Sequence, residues 1–126
     1  VYNVAVTSTT GHMTLYEVSQ KNIASSVISR EGSVPYGIVP SISMDEFVAK
    51  EKITHIDLLK FDIEGAEYEM FIGFSKRNMV QVMIGEIHFD LIDKPPEYFW
   101  ALLKNFNTNV KPANKKGRFI VTAFHI

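Results

Sequence analysis

The sequence contains no cysteine. Disulfides, thiolate zinc sites, iron–sulfur clusters and cysteine nucleophiles are thereby excluded. It also lacks an excess of charge of either sign: 13 Lys and Arg face 14 Asp and Glu, for a formal net charge of −1. No global field exists to recruit nucleic acid or an anionic membrane surface, so neither partner is expected. No apolar run approaches the roughly 18 residues that span a bilayer. The opening VYNVAVTST has neither the basic start nor the cleavage pattern of a signal peptide. These features together lead us to expect a cytoplasmic protein. The phosphate loops G-x-G-x-x-G and GxxxxGKS/T are missing, and so is the G-x-S-x-G elbow of common serine hydrolases.

What is there fits a folded chain. The 126 residues are 46% hydrophobic and 21% charged, enough apolar material to offset chain entropy. Residues 1–126 are read as one domain. The first residue is Val rather than Met, so a processed start or a piece of a longer chain is expected.

Residues 2–8 alternate and carry β-branched side chains, which predicts a strand. Thr10-Gly11-His12 supplies a turn, and residues 13–18 read as the antiparallel partner. Ser19 to Gly37 reads as a long surface loop. Ile38 to Ile42 is a short strand, with Pro40 pointing to an edge or irregular position. Ser43-Met44-Asp45-Glu46 fits a capping box and starts a helix that runs to about Lys50. Asp45 falls in its first turn, where the helix dipole favours a carboxylate.

Residues 56–63 form an apolar run expected of a strand buried on both faces. A short helix, AEYEMFI, follows Gly65 and ends at Gly73, with Glu67 and Glu69 read as solvated. Residues 80–88 read as a second buried strand. A helix from Pro95-Pro96 places Phe99, Leu102, Leu103 and Phe106 on one face, with Tyr98 and Trp100 in or near the core. Residues 108–112 and 118–126 close the chain as an antiparallel hairpin, and Lys111, Lys115, Lys116 and Arg118 read as its turn surface. Strands alternating with helices predict βαβ units on a mostly parallel sheet, with antiparallel hairpins at both ends.

Alternate residues of a strand share a face. On one face of the first buried strand Ile56 and Leu58 give way to Lys60 and Asp62, with Glu64 just beyond. In the second, Val80, Val82 and Ile84 give way to Glu86 and His88. Two strands thus deliver Lys60, Asp62, Glu64, Glu86 and His88 to one edge. Ligands of open α/β sheets bind outside the carboxyl ends of strands. Three chemistries fit: a divalent cation held by Asp62, Glu86 and His88, a general base acting on a hydroxyl, or a carboxylate pairing with a cofactor's ammonium group. Ser25 and Ser26 in the long loop are weaker candidates for a ligand contact.

The stretch His55-Ile56-Asp57-Leu58-Leu59-Lys60-Phe61-Asp62-Ile63-Glu64-Gly65-Ala66-Glu67 resembles the FkbM family of methyltransferases, whose signature strand reads iDlLKiDvEGaE. Asn3-Val4-Ala5-Val6 with Gly11 and Leu15, Ser25-Ser26, Val39 to Phe47, and Gly85-Glu86-Ile87-His88 resemble further family segments in the right order. The likeness spans roughly residues 2–90. It implies a Rossmann-like class I fold and S-adenosylmethionine as cofactor. The implied reaction is O-methyl transfer to a sugar or other small hydroxyl compound. Carried over by position, Asp62 and Glu64 lie beside the methionine or the acceptor, and Glu86 and His88 at the next strand. Ser25 and Ser26 fall in the cofactor-side loop.

The family's N-terminal D-x-G-A-N-x-G strand–loop–helix is not in this sequence. A missing section of that kind would need on the order of 60 residues. The chain therefore reads as the C-terminal part of such a domain, truncated at the N-terminus, and weak cofactor binding is expected of it alone. Two other functions fit the same residues. One is a metal-dependent hydrolase using the Asp62, Glu86 and His88 edge. The other is a non-catalytic remnant that forms a homodimer through an exposed sheet edge.

Overall fold

The computed structural model describes residues 1–18 and 25–126. It contains eight strands, three α-helices and a short 3-10 turn, in the order β1 (Ala5–Thr7), β2 (Gly11–Val18), β3 (Ser25–Ser26), β4 (Ser33–Ser43), α1 (Met44–Lys50), β5 (Ile56–Phe61), α2 (Glu67–Ile72), the turn Arg77–Met79, β6 (Val80–His88), α3 (Pro96–Leu102), β7 (Phe106–Pro112) and β8 (Arg118–His125). The expected α/β composition holds, but the single mostly parallel sheet does not. Two mixed four-stranded sheets form instead, ordered β1-β4-β2-β3 and β5-β6-β8-β7. Among the described residues only β1 with β4 and β5 with β6 run parallel.

The first sheet departs from the expected hairpin. Rather than pairing with β2, β1 lies parallel to β4, and β2 lies antiparallel to β4. The cause is the length of β4. Ser33–Gly37, read as loop, continue the strand and give β2 a longer partner than β1 could offer. Residues 19–24 of that expected loop lie outside the described residues. Pro40 sits inside β4 without conflict, because β1 pairs only with Ser41–Ser43 and leaves the strand one-sided at Pro40.

Helix α1 begins as its capping residues require. The Ser43 hydroxyl accepts from the Glu46 amide at 3.2 Å. The Ser43 amide donates to the Thr10 hydroxyl at 3.1 Å, which replaces the reciprocal arm of a capping box. Asp45 does more than sit in a favourable dipole. Its carboxylate accepts from the Ser75 amide at 3.0 Å and the Lys76 amide at 3.2 Å, tying α1 to the turn after α2. Partial burial works against its charge. The Ser75 hydroxyl and the two amides outweigh that and hold the carboxyl below its usual pKa. A lowered folded pKa gives stability that is present above the unfolded value, about 3.9, and is lost as pH falls through the folded value. Asp45→Ala is expected to cost about 1 kcal/mol at pH 7, a small sum because the pair is exposed. Urea unfolding at pH 7 and pH 3 should show the penalty shrinking at the lower pH.

The second sheet carries the main core on one face. Phe71 of α2, Phe99 of α3, Met83 and Ile87 of β6 and Val121 of β8 are all at most 1% exposed. Phe71 meets Phe61 and Phe99 edge-on at centroid distances of 5.2 and 5.3 Å. Trp100 packs against this cluster, whereas Tyr98 is 58% exposed and lies outside the core where it was expected. The α3 helix is short, and its apolar stripe turns Phe99 inward, which carries Tyr98 away.

Among the described residues the other face has no helical cover. Leu58, Val82 and Phe124 stand in one row across β5, β6 and β8. Leu58, Ile84, Ile120 and Phe124 on this face are 37–58% exposed. Strand β5 is therefore not buried on both faces. It is the sheet's edge, paired only with β6, and Asp57, Leu58 and Lys60 are exposed.

Candidate functional site

The pairing of β5 and β6 confirms that the two predicted strand ends are neighbours. Their register sets Phe61 opposite Gly85. Strand β5 stops there, while β6 runs three residues further, to Glu86, Ile87 and His88. Residues 62–66 leave the sheet and fold over that extension. The bend needs two left-handed residues in succession: Glu64 at φ 51° and Gly65 at φ 100°. Glu64 bears the strain of a side chain in that region. It is held by the Ser26 hydroxyl, which donates to the Glu64 carbonyl at 2.8 Å and accepts from the Ile28 amide at 3.0 Å.

The turn delivers Glu67 to the start of α2, where it is 0% exposed. Its Oε1 lies 2.7 Å from His88 Nδ1. The same oxygen accepts from the Ile63 amide at 3.3 Å and the Gly65 amide at 3.2 Å. Glu67 was read as a solvated helix residue. Helical periodicity misplaced it because the helix opens at Glu67 itself, and its side chain points back under the strand end. The available signal was a carboxylate two residues after the glycine of the turn that follows β5.

Glu67 determines which way the imidazole works. An ionised carboxylate accepts from Nδ1–H, and in the neutral ring this leaves the lone pair on Nε2. His88 is fully buried, and Nε2 has no hydrogen-bond partner. It faces Asp62 Oδ1 at 3.7 Å, Glu64 Oε1 at 3.8 Å and Glu86 Oε1 at 4.0 Å. These separations are too long for hydrogen bonds. Burial disfavours the charged ring, but the hydrogen bond that its Nδ1–H donates to Glu67 and the charges of Glu67 and Glu64 prevail, so the His88 pKa is raised. The nearby Arg118 opposes that rise.

The basic partners belong to Glu64. Arg30 and Arg118 lie 3.8 and 3.7 Å from its Oε2. Arg118 also holds Asp90 at 3.2 Å. It was read as turn surface, yet its position opposite His88 in the β6–β8 register carries it into the site. Among the described residues, Asp62 and Glu86 have no basic partner other than His88. Among the described residues three buried polar side-chain atoms lack partners, and all three lie here: Arg30 Nε, Glu67 Oε2 and His88 Nε2.

The remaining candidates separate. Lys60 points into solvent on the uncovered face and makes no ion pair among the described residues. Ser25 is exposed, and the hydroxyl of Ser26 is occupied with the turn. A cavity of about 260 Å³ lies between the two sheets, lined in part by Val4, Val6, Ser25, Asp62 and Glu64.

The fold and the site define an α/β protein with a histidine–carboxylate centre at the carboxyl ends of adjacent parallel strands, the usual place for a ligand in such sheets. The family model described as the methyltransferase FkbM domain matches residues 1–110. The chain belongs to that family. No curated protein and no solved structure matches it. No helix among the described residues is long and apolar enough to cross a membrane.

Proposed function

We propose that this protein serves S-adenosylmethionine-dependent O-methyl transfer to a hydroxyl of a sugar or other small molecule. Family membership supports methyl transfer in general. The observation that carries the finer reading is His88 Nε2: a buried, unpartnered lone pair, fixed in its tautomer by Glu67 and surrounded by Asp62, Glu64 and Glu86. A hydroxyl is a poor nucleophile until its proton is taken. The space bounded by Nε2, Asp62 and Glu86 can bind that hydroxyl, orient it and take up the proton. Holding the acceptor oxygen in one place supplies much of the remaining acceleration.

The residues present do not fit the whole cofactor. The sequence has no glycine-rich loop for it, and the 260 Å³ cavity is below the roughly 300–1,000 Å³ of usual ligand sites. We therefore assign the acceptor end, but not the adenosine cradle, to these residues. The free edge of β5 and the uncovered face of Leu58, Ile84, Ile120 and Phe124 support a place for residues 1–126 as the C-terminal part of a methyltransferase domain.

Two measurements test this. Calorimetry of S-adenosylmethionine against the 126-residue chain should give no binding at micromolar concentration; tight binding rejects the division into halves. With the upstream coding sequence restored, transfer of a radiolabelled methyl group to hydroxyl compounds should appear. It should fall at least 100-fold in His88→Gln. Full activity in that variant overturns the role of the site.

A further inference from the structure

Among the described residues, Asp62, Glu86 and His88 form a group of potential ligands whose donor atoms lie within 4.8 Å of one another. Carboxylates that gather at a surface commonly need no ion. Here the histidine changes the argument. Its Nε2 is buried, has no hydrogen-bond partner and faces two carboxylates at distances too long for hydrogen bonds, so a neutral ring would point its lone pair at anionic oxygens with nothing between them. Gaps of 3.7 and 4.0 Å from Nε2 to Asp62 and Glu86 are a few tenths of an ångström wider than the roughly 3.3–3.6 Å between neighbouring ligands of a tetrahedral ion with bonds of about 2.0–2.2 Å, so a small inward movement of the carboxylates seats one ion.

The surroundings complete the pattern. The Glu67 carboxylate accepts from the far nitrogen of the ring, the carboxylate–histidine–metal arrangement that fixes a ligand's orientation and raises its basicity. Glu64 is already matched by Arg30 and Arg118, so the negative charge in need of a cation is that of Asp62 and Glu86. Asp62 has a half-exposed side chain, free to close the last ångström.

We propose that Asp62, Glu86 and His88 bind one divalent cation, of the borderline kind that accepts both imidazole and carboxylate. Mn²⁺ and Zn²⁺ fit that ligand set better than Ca²⁺, which prefers oxygen alone. Three protein ligands are the number found in catalytic rather than closed structural sites. The cation's use in activating a hydroxyl rests on the methyl-transfer reading above; its binding does not.

The experiment is titration of Mn²⁺ into the 126-residue chain, read as loss of the free-ion paramagnetic resonance signal, with Zn²⁺ competition. One Mn²⁺ per chain should bind, be displaced by Zn²⁺ and be indifferent to equimolar Ca²⁺. Asp62→Asn and Glu86→Gln should each weaken binding at least 10-fold. Both side chains are partly exposed and hold no backbone amide, so these variants report on the site even if His88→Ala fails to fold. No binding below millimolar Mn²⁺, or equal binding by all variants, overturns the proposal. If methyl transfer persists in a chelator and Mn²⁺ does not bind, only the cation is rejected. If Mn²⁺ binds and no hydroxyl compound is methylated, only the methyl-transfer reading is rejected.

Discussion

Glu67→Ala is expected to remove about 3–5 kcal/mol of stability, the cost of leaving one member of a buried charged pair alone. One oxygen of Glu67 serves three groups: the His88 ring and the amides of Ile63 and Gly65. Alanine leaves all three without that acceptor in a region closed to water. A domain of this size has about 5–15 kcal/mol in total, so a large fraction of the chains should be unfolded under mild stress. Urea unfolding followed by circular dichroism measures this directly; a loss under 1 kcal/mol contradicts the account. Glu67→Gln separates fold from chemistry. Its amide oxygen still accepts from the turn, so the cost falls to about 1–2 kcal/mol. The lost charge should nonetheless weaken Mn²⁺ binding by about 10–100-fold, as removal of an orienting partner does.

A single methyl group at Gly85 has the next largest expected effect. A Cβ there would overlap the Phe61 ring and carbonyl oxygen. The ring can rotate, but the carbonyl belongs to the backbone of β5 and can only move with the strand. Gly85→Ala should therefore destabilise by about 3 kcal/mol, the upper range for overpacking, and push β5 away from β6. Phe61→Ala alone empties part of the core at a cost of about 3–5 kcal/mol, so the test is a double-mutant cycle: with the ring gone but the carbonyl overlap left, the double variant should lose less than the sum of the two single losses, yet more than Phe61→Ala alone. A double variant no less stable than Phe61→Ala alone would place the conflict in the side chain alone. Displacement of β5 also carries Asp62 away from His88. Loss of Mn²⁺ binding should then accompany the loss of stability.

The elements most legible in the sequence are those whose signals are local. Ser43 and Glu46 mark the start of α1 through a short-range hydrogen bond, and Lys115-Lys116-Gly117 marks the last hairpin. The switch from apolar to ionisable residues along 56–64 and 80–88 located the site, because adjacent parallel strands direct their carboxyl ends to the same edge of the sheet. What was not legible depends on partners distant in sequence. Whether residues 2–8 pair with β2 or β4 is decided by the length of β4, not by their own pattern. The burial of β5 was misjudged because an apolar strand looks the same whether both of its faces are covered or one is. Glu67 and Arg118 were taken for surface groups. A charge buried by a counter-charge 21 residues away leaves no periodic trace.

The order of strands in the second sheet has a consequence for assembly. Strand β8, though it comes after all the others in the chain, is not at the sheet's border: it lies between β6 and β7. On a ribosome it emerges after both of its neighbours. Until then β6 lacks the neighbour opposite Val82–His88, and Glu64 lacks Arg118. The histidine centre, encoded by residue 88, is thus completed only when residues 118–125 arrive. Long-range pairings of this kind fold slowly, since the loop must close before the contact repays it. Deleting residues 118–125 would remove an inner strand of the sheet.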